Sequence, residues 1–182
     1  VQGNIGNSDL ISSLLKKYKV RAVINFAAES HVDRSIQNAS NFVQTNIVAT
    51  HQFLETLRLY WDGLDSNTNG SFRFVHVSTD EVYGSLPEGS AVENWPLEPN
   101  SPYAASKASS DLLARSYFVT HGLDVRTTRC CNNYGKYQGT SSNHDKLIAD
   151  LVELFTQNRK GIVEGFEAIK TVEAIELIYN SK

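Results

Sequence analysis

Three short apolar runs, each ending in polar residues, alternate along the chain with longer stretches whose apolar positions recur at helical spacing. The run Arg21 to Ala28, RAVINFAA, is compact, β-branched and closed by small residues, and predicts a strand buried on both faces. SFRFVHVSTDEVYG predicts a second buried strand that runs out into polar residues, with Gly84 as a breaker. LDVRTTRCC predicts a third, leading into the loop NNYG. Between them, residues 8 to 19 suggest a helix, and the stretch from Ser40 to Trp61 spaces Phe42, Val43, Ile47, Phe53, Leu54, Leu57 and Leu59 in a broadly helical pattern. Pro87, Pro96 and Pro99 fall within 85–101, with Pro102 just beyond, so that segment reads as loop. Strands alternating with helices imply the doubly wound α/β class, a parallel sheet with right-handed crossovers. In such sheets ligands gather at the carboxyl ends of the strands, where AAESH, STDE and CNNYG lie.

After the last loop the character changes. GTSSN, residues 139–143, reads as a polar linker. Two amphipathic helices are expected in 144–182, one with Leu147, Ile148, Leu151, Val152 and Phe155 on one side, the other stacking Ile169, Val172, Ile175 and Ile178.

The stretch SPYAASK opens a further helix and places Tyr103 and Lys107 four apart, on one face. An ammonium beside a phenol stabilises the phenolate, so Lys107 is expected to pull the Tyr103 pKa down and make it a usable proton acceptor. The spacing alone fits an exposed helix with an ordinary Tyr/Lys pair equally well. STDEVYG, taken alone, also reads as a solvated turn with capping carboxylates.

Composition narrows the classes. With 182 residues, 41% hydrophobic and 20% charged, the chain has material for one sizeable domain. A net charge of -3 gives no reason to expect nucleic acid or an anionic membrane as partner. No apolar run reaches the roughly 18 residues of a membrane span. Cys130 and Cys131 are adjacent, which suits neither an ordinary disulfide nor a zinc site, so strand-end packing and a reduced, cytoplasmic setting are expected, with no metal. A packed or capping role is expected for His31. The chain has no methionine and starts VQGNIGN, which suggests that it begins inside a longer gene product.

Taken together, FAAESHVDRSI, TNIVATHQFLE, FRFVHVSTDEVYG, SPYAASKASSD and CNNYGKYQ closely resemble the extended short-chain dehydrogenases, and among them the dTDP-glucose 4,6-dehydratases, from Val1 to about Gln138. The Asp-Glu pair discriminates, because related sugar epimerases often carry other residues there. The resemblance implies an NAD-binding Rossmann-like domain over 1–138, acting on a nucleotide sugar, with dTDP-glucose the expected substrate. It implies that Tyr103 takes the C4 hydroxyl proton as NAD takes the hydride, that Glu81 takes the C5 proton, and that Asp80 protonates the departing C6 hydroxyl. Two adjacent carboxyls in opposite roles need surroundings that separate their pKa values. Thr79 is implied to bond the sugar near C4, and Lys107 to hold the nicotinamide ribose.

By the same resemblance Ala27, Ala28, Glu29 and Ser30 lie along the cofactor, Thr45 and Asn133 also contact NAD, and Ser30 and Asn132 face the sugar nucleotide. Asn4 and Ile5 match a place where the family usually has Asp-Ile against the adenine. The helices holding Thr50 to Leu59 and Ser106 to Phe118 resemble those the family uses to form homodimers. The family's glycine-rich turn is not matched, since no G-x-x-G-x-x-G occurs. The segment 144–182 resembles the C-terminal helices of glucose–fructose oxidoreductase type sugar dehydrogenases, which would make the chain a junction of two genes.

Overall fold

The structure is a computed structural model and describes residues 1–86 and 88–131. Asn132, Asn133, the linker 139–143 and the helical segment 144–182 lie outside the described residues.

Helix α1 (Ser8–Tyr18) starts where the Asn7 side chain accepts from the Leu10 N–H, and it ends in a left-handed Lys19. Strand β1 (Ala22–Asn25) follows, then α2 (Val32–Gln37) and a continuous helical rod. That rod is a turn of α3 (Ser40–Phe42), a π-helical stretch (Val43–Ala49) and α4 (Thr50–Asp62). A short α5 (Ser66–Asn69) leads into β2 (Arg73–Thr79), a 3-10 turn (Asp80–Tyr83), the long α6 (Pro102–His121) and β3 (Val125–Cys130). The three strands are parallel in the order β1-β2-β3, with Asn25 beside His76 and Thr79 beside Cys130. Each crossover carries helix, as the alternating pattern requires.

The core lies where α1, α4 and α6 cover the N-terminal half of the sheet. Leu54, Leu57, Phe72, Phe74 and Leu123 are fully buried there. Each such side chain contributes about 1.5–3 kcal/mol by leaving water. Helix α6 packs through small residues, with Ala104, Ser106, Ala108, Ser110 and Ala114 buried. That explains its composition, because a small-residue face lets the helix lie close to the strand ends. Ser101 caps it by accepting from the Ala104 N–H, Pro102 supplies the first-turn φ, and Gly122 at φ 76° closes it.

Two expectations are corrected. The first strand is shorter than Arg21–Ala28, and it is not buried on both faces, because Ile24 is 56% and Phe26 75% exposed. β1 is the edge of the three strands, and nothing among the described residues covers that face. The second strand stops at Thr79 rather than running to Gly84. The Thr79 hydroxyl accepts from the Glu81 N–H at 3.3 Å and turns the chain into the 3-10 element. Gly84 ends that turn at φ 75°, where a Cβ would run into the Glu98 carbonyl oxygen.

Candidate active site

The C-terminal ends of the strands and the N-terminal half of α6 enclose a cavity of about 250 Å³. Ala28, Ser30, Thr79, Glu81, Tyr103 and Lys107 line it, together with Phe26, Val77, Ser78, Cys130 and Cys131. Six of the residues singled out in the sequence therefore meet in one space, though they come from three separate segments.

Tyr103 stands at the start of α6, whose first turn is fixed from two sides. The Tyr103 N–H donates to Ser35 Oγ at 3.0 Å, and the Ala104 N–H donates to Ser101. Lys107, one turn on, is 4% exposed and donates from Nζ to the Val77 carbonyl oxygen at 2.7 Å. One of its three N–H groups is thereby used, and the other two are available to the cavity.

The electrostatics reverse one expectation. Tyr103 is not drawn down by Lys107. Burial pushes its phenol up, the Glu81 carboxylate adds to the rise, and a hydrogen bond with Thr79 only partly offsets them. Burial pulls the Lys107 ammonium down, and the Asp111 carboxylate opposes that fall. The pair shares a helix face, yet the lysine is anchored to β2 rather than aimed at the phenol.

The two adjacent carboxylates differ in setting. Glu81 faces the Tyr103 cavity and is half-buried, whereas Asp80 is exposed and lines a neighbouring space of about 770 Å³ with Tyr83, Glu93 and Arg129. The Thr79 hydroxyl donates to Asp80 Oδ1 at 3.2 Å and links the two settings.

The remaining candidates sit further out. Asn4 Oδ1 accepts from the Gly6 N–H at 2.8 Å, and Ile5 packs against the main core, so neither reaches the cavity. The Ala27 N–H is tied to Asn25 Oδ1 at 3.1 Å. Glu29 and Thr45 are half-buried outside the cavity lining. His31 begins α2 at φ 82° with an exposed side chain that makes no cap bond, so the packed or capping role does not hold. Cys130 and Cys131 are free thiols on the cavity wall; Cys130 is the half-buried last residue of β3, and only the exposed Cys131 departs from the strand-end packing expected.

Asn46 organises the site and was not singled out from the sequence. Lying 2% exposed in the π-helical stretch, it accepts from the Glu29 N–H at 2.8 Å and donates to the Glu29 carbonyl and to Ser106 Oγ, both at 2.9 Å. It thus pins the loop after β1 to α6. The signal was a poor helix former inside an apolar helical pattern, next to Thr45, the residue chosen instead. Ser35, Asp111 and Arg129 were missed as well, since each acts through partners distant in sequence.

A Tyr-x-x-x-Lys helix laid against the carboxyl end of a parallel sheet is the arrangement of the short-chain-dehydrogenase type of Rossmann protein. Residues 1–167 match the family described as GDP-mannose 4,6 dehydratase, and the chain belongs to that family. The match continues past Gln138, into the segment expected to be foreign. A dTDP-glucose 4,6-dehydratase of Xanthomonas campestris pv. campestris (strain B100) is 54% identical over 138 residues, covering 75% of this chain and 39% of that protein. The crystal structure of a Streptomyces venezuelae dTDP-glucose 4,6-dehydratase with NAD bound is 50% identical with a TM-score of 0.71, covering 84% of this chain and 44% of that one. A Thermus thermophilus UDP-glucose 4-epimerase in complex with NAD is 27% identical with a TM-score of 0.68, covering 83% of this chain and 46% of that one. The chain thus spans about 40% of the length of the curated relatives it matches.

Proposed function

We propose that the chain carries the catalytic part of an NAD-dependent nucleotide-sugar 4,6-dehydratase, with dTDP-glucose as substrate. The observation that carries this reading is the convergence of Thr79, Glu81, Tyr103 and Lys107 on one cavity, with Asp80 one residue away. The 54% identity to a dTDP-glucose 4,6-dehydratase supports the choice of sugar nucleotide.

Water is hard to remove across C5 and C6 of an unactivated sugar, because the C5 proton is barely acidic. A ketone at C4 makes that proton acidic. Tyr103 takes the C4 hydroxyl proton as the hydride leaves C4, and Thr79 holds the sugar near that oxygen. Glu81, inside the cavity, takes the C5 proton. Asp80, more exposed, gives a proton to the departing C6 hydroxyl, which leaves as water. Hydride delivered to C6, with a proton to C5, gives the 4-keto-6-deoxy sugar. Bound NAD supplies the hydride acceptor for the first step and the donor for the last.

The residues fit the nicotinamide half of that cofactor. Lys107 has two N–H groups for ribose hydroxyls, and Ala28 and Ser30 leave room along the wall. Ala27, Glu29, Thr45 and Asn133 are assigned to cofactor contacts by the family resemblance, and Asn132 to the sugar nucleotide. For the pyrophosphate half, the described residues offer no glycine-rich turn. The exposed Leu59, Leu112, Phe118 and Val119 on α4 and α6 are apolar surface suited to a homodimer. No described helix is long and apolar enough to cross a membrane, and we place the protein in the cytoplasm.

The test is incubation of a turnover-competent protein bearing this segment with dTDP-glucose, UDP-glucose and GDP-mannose. A 4-keto-6-deoxy product from dTDP-glucose alone is expected. Epimerised sugar instead of a keto product would overturn the elimination.

A further inference from the structure

Lys107 is a nearly fully buried cation, and a buried ammonium is costly without a counter-charge. Four residues on, along the same face of α6, Asp111 is 2% exposed. Its Oδ2 accepts from Arg129 Nε at 2.9 Å, and its Oδ1 lies 3.7 Å from His76 Nε2. His76, on β2, is bonded to Ser110 Oγ at 3.0 Å and is held neutral, because burial and then Lys107 push its pKa down to about 3. Glu81 and Tyr103 face Lys107 across the cavity. One buried carboxylate therefore serves two cations, Arg129 in direct contact and Lys107 through its charge alone, since Lys107 Nζ itself contacts the Val77 carbonyl. Arg129 also donates from Nη1 to Tyr83 Oη at 2.8 Å and to the Glu93 carbonyl at 3.0 Å. Its plane lies over the Tyr83 ring, 5.0 Å from the centroid.

We propose that Asp111 is a positioning residue, the counter-charge that keeps Lys107 a cation against the Val77 carbonyl. Arg129 draws on the same carboxylate and clasps the turn that carries Asp80 and Glu81. One guanidinium then joins the helix of the Tyr/Lys pair, the end of β3 and the turn of the paired carboxylates. The sequence spacing Lys-x-x-x-Asp puts the two buried side chains on one helix face, and Arg129 reaches the carboxylate from the neighbouring strand. The inference rests on the proposed function only for the importance of Lys107, since the contacts exist without substrate.

The experiment is a pH titration of the Lys107 ε-carbon by NMR in the 182-residue chain labelled with ¹³C-lysine. The resonance is assigned by its loss in Lys107→Arg, and folding is checked by circular dichroism. Asp111→Asn keeps the shape and removes the charge, so Lys107 is expected to bind its proton about tenfold more weakly or worse. Arg129→Gln removes the competing cation, so Lys107 is expected to bind its proton more tightly. Asp124→Asn, which removes a surface partner of Arg73 at 2.8 Å, is expected to leave the Lys107 midpoint unchanged. A loosened helix would move both site variants the same way, whereas shared counter-charge moves them in opposite directions. An unchanged midpoint in Asp111→Asn, or shifts of the same sign, overturns the proposal. Should Asp111→Asn not fold, Arg129→Gln decides alone, and an unchanged or weaker proton affinity overturns it. No turnover is involved, so this result and the nucleotide-sugar assay fail independently.

Discussion

Lys107 Nζ donates to the Val77 carbonyl oxygen at 2.7 Å, tying the helix that bears Tyr103 to the strand that ends at Thr79. The bond locks the helix register against the sheet edge, so the Tyr103 phenol sits over Thr79 rather than over solvent. In a turnover-competent protein carrying this segment, Tyr103→Phe removes only the proton acceptor. C4 oxidation is expected to slow about a hundredfold to ten-thousandfold, with cofactor affinity kept. Single-turnover formation of reduced cofactor, followed by absorbance, measures it, and an unchanged rate would sink the assignment.

Asp80 and Glu81 open on different spaces, and the roles proposed for them differ accordingly. Asp80→Asn and Glu81→Gln are expected to reduce the cofactor and then stall, each losing about a hundredfold or more in product formation. Enzyme-bound reduced cofactor should accumulate with substrate present. Product at the wild-type rate from both variants rules the elimination roles out.

The buried Asn46 makes three hydrogen bonds with one amide, two to the half-buried Glu29 backbone and one to the buried Ser106. Asn46→Ala leaves the Glu29 N–H and carbonyl without these partners and frees the loop after β1. A loss of about 2–4 kcal/mol is expected, read from urea unfolding of the chain. A loss below about 0.5 kcal/mol, the range of a neutral surface change, would show that water replaces the amide.

His76 gives the chain an acid limb. Burial, with Lys107 adding to it, lowers its folded pKa from 6.5 to about 3. The folded state therefore binds the proton less tightly than the unfolded state. Its contribution to stability is full above about 6.5 and is lost as pH falls toward 3. Thermal melts between neutral pH and the acid limb should show a steeper fall in the wild type than in His76→Phe. Parallel curves for the two chains would assign the acid sensitivity elsewhere.

Much of this arrangement was legible because it is local. The helix that SPYAASK opens and the Tyr103/Lys107 spacing are fixed by neighbours in the chain, and the structure reproduces them. The apolar runs located all three strands, while their lengths were overestimated. β1 stops at Asn25, whose side chain captures the Ala27 N–H, and β2 stops at Thr79, whose side chain captures the Glu81 N–H. The π-helical turn that aims Asn46 inward leaves no periodic trace, since one extra residue in a turn hardly disturbs an apolar pattern. Arg129 and Asp111 were invisible for a different reason, because a salt link across eighteen positions has no spacing rule. The Tyr103 pKa was misjudged because sequence places Lys107 nearby without showing the burial of the phenol or the Glu81 carboxylate beside it.

The last prediction concerns the 182 residues by themselves. Cofactor affinity in this class of fold draws heavily on a glycine-rich turn at a helix N-terminus, whose N–H groups hold the pyrophosphate. No G-x-x-G-x-x-G occurs in the chain, so the cavity proposed for the nicotinamide half has no matching phosphate donors among the described residues. The edge strand β1 and the residue just after it also present Ile24 at 56% and Phe26 at 75% exposure. Unpaired strand edges of this kind invite association with other chains. Calorimetric titration with NAD is expected to give weak or absent binding, and incubation with dTDP-glucose no 4-keto product. Light scattering is expected to show self-association that Ile24→Lys with Phe26→Ser reduces. Micromolar NAD affinity with steady product formation would prove the expectation wrong, and would mean that the Tyr103, Lys107, Asp80 and Glu81 cluster suffices without a phosphate cradle.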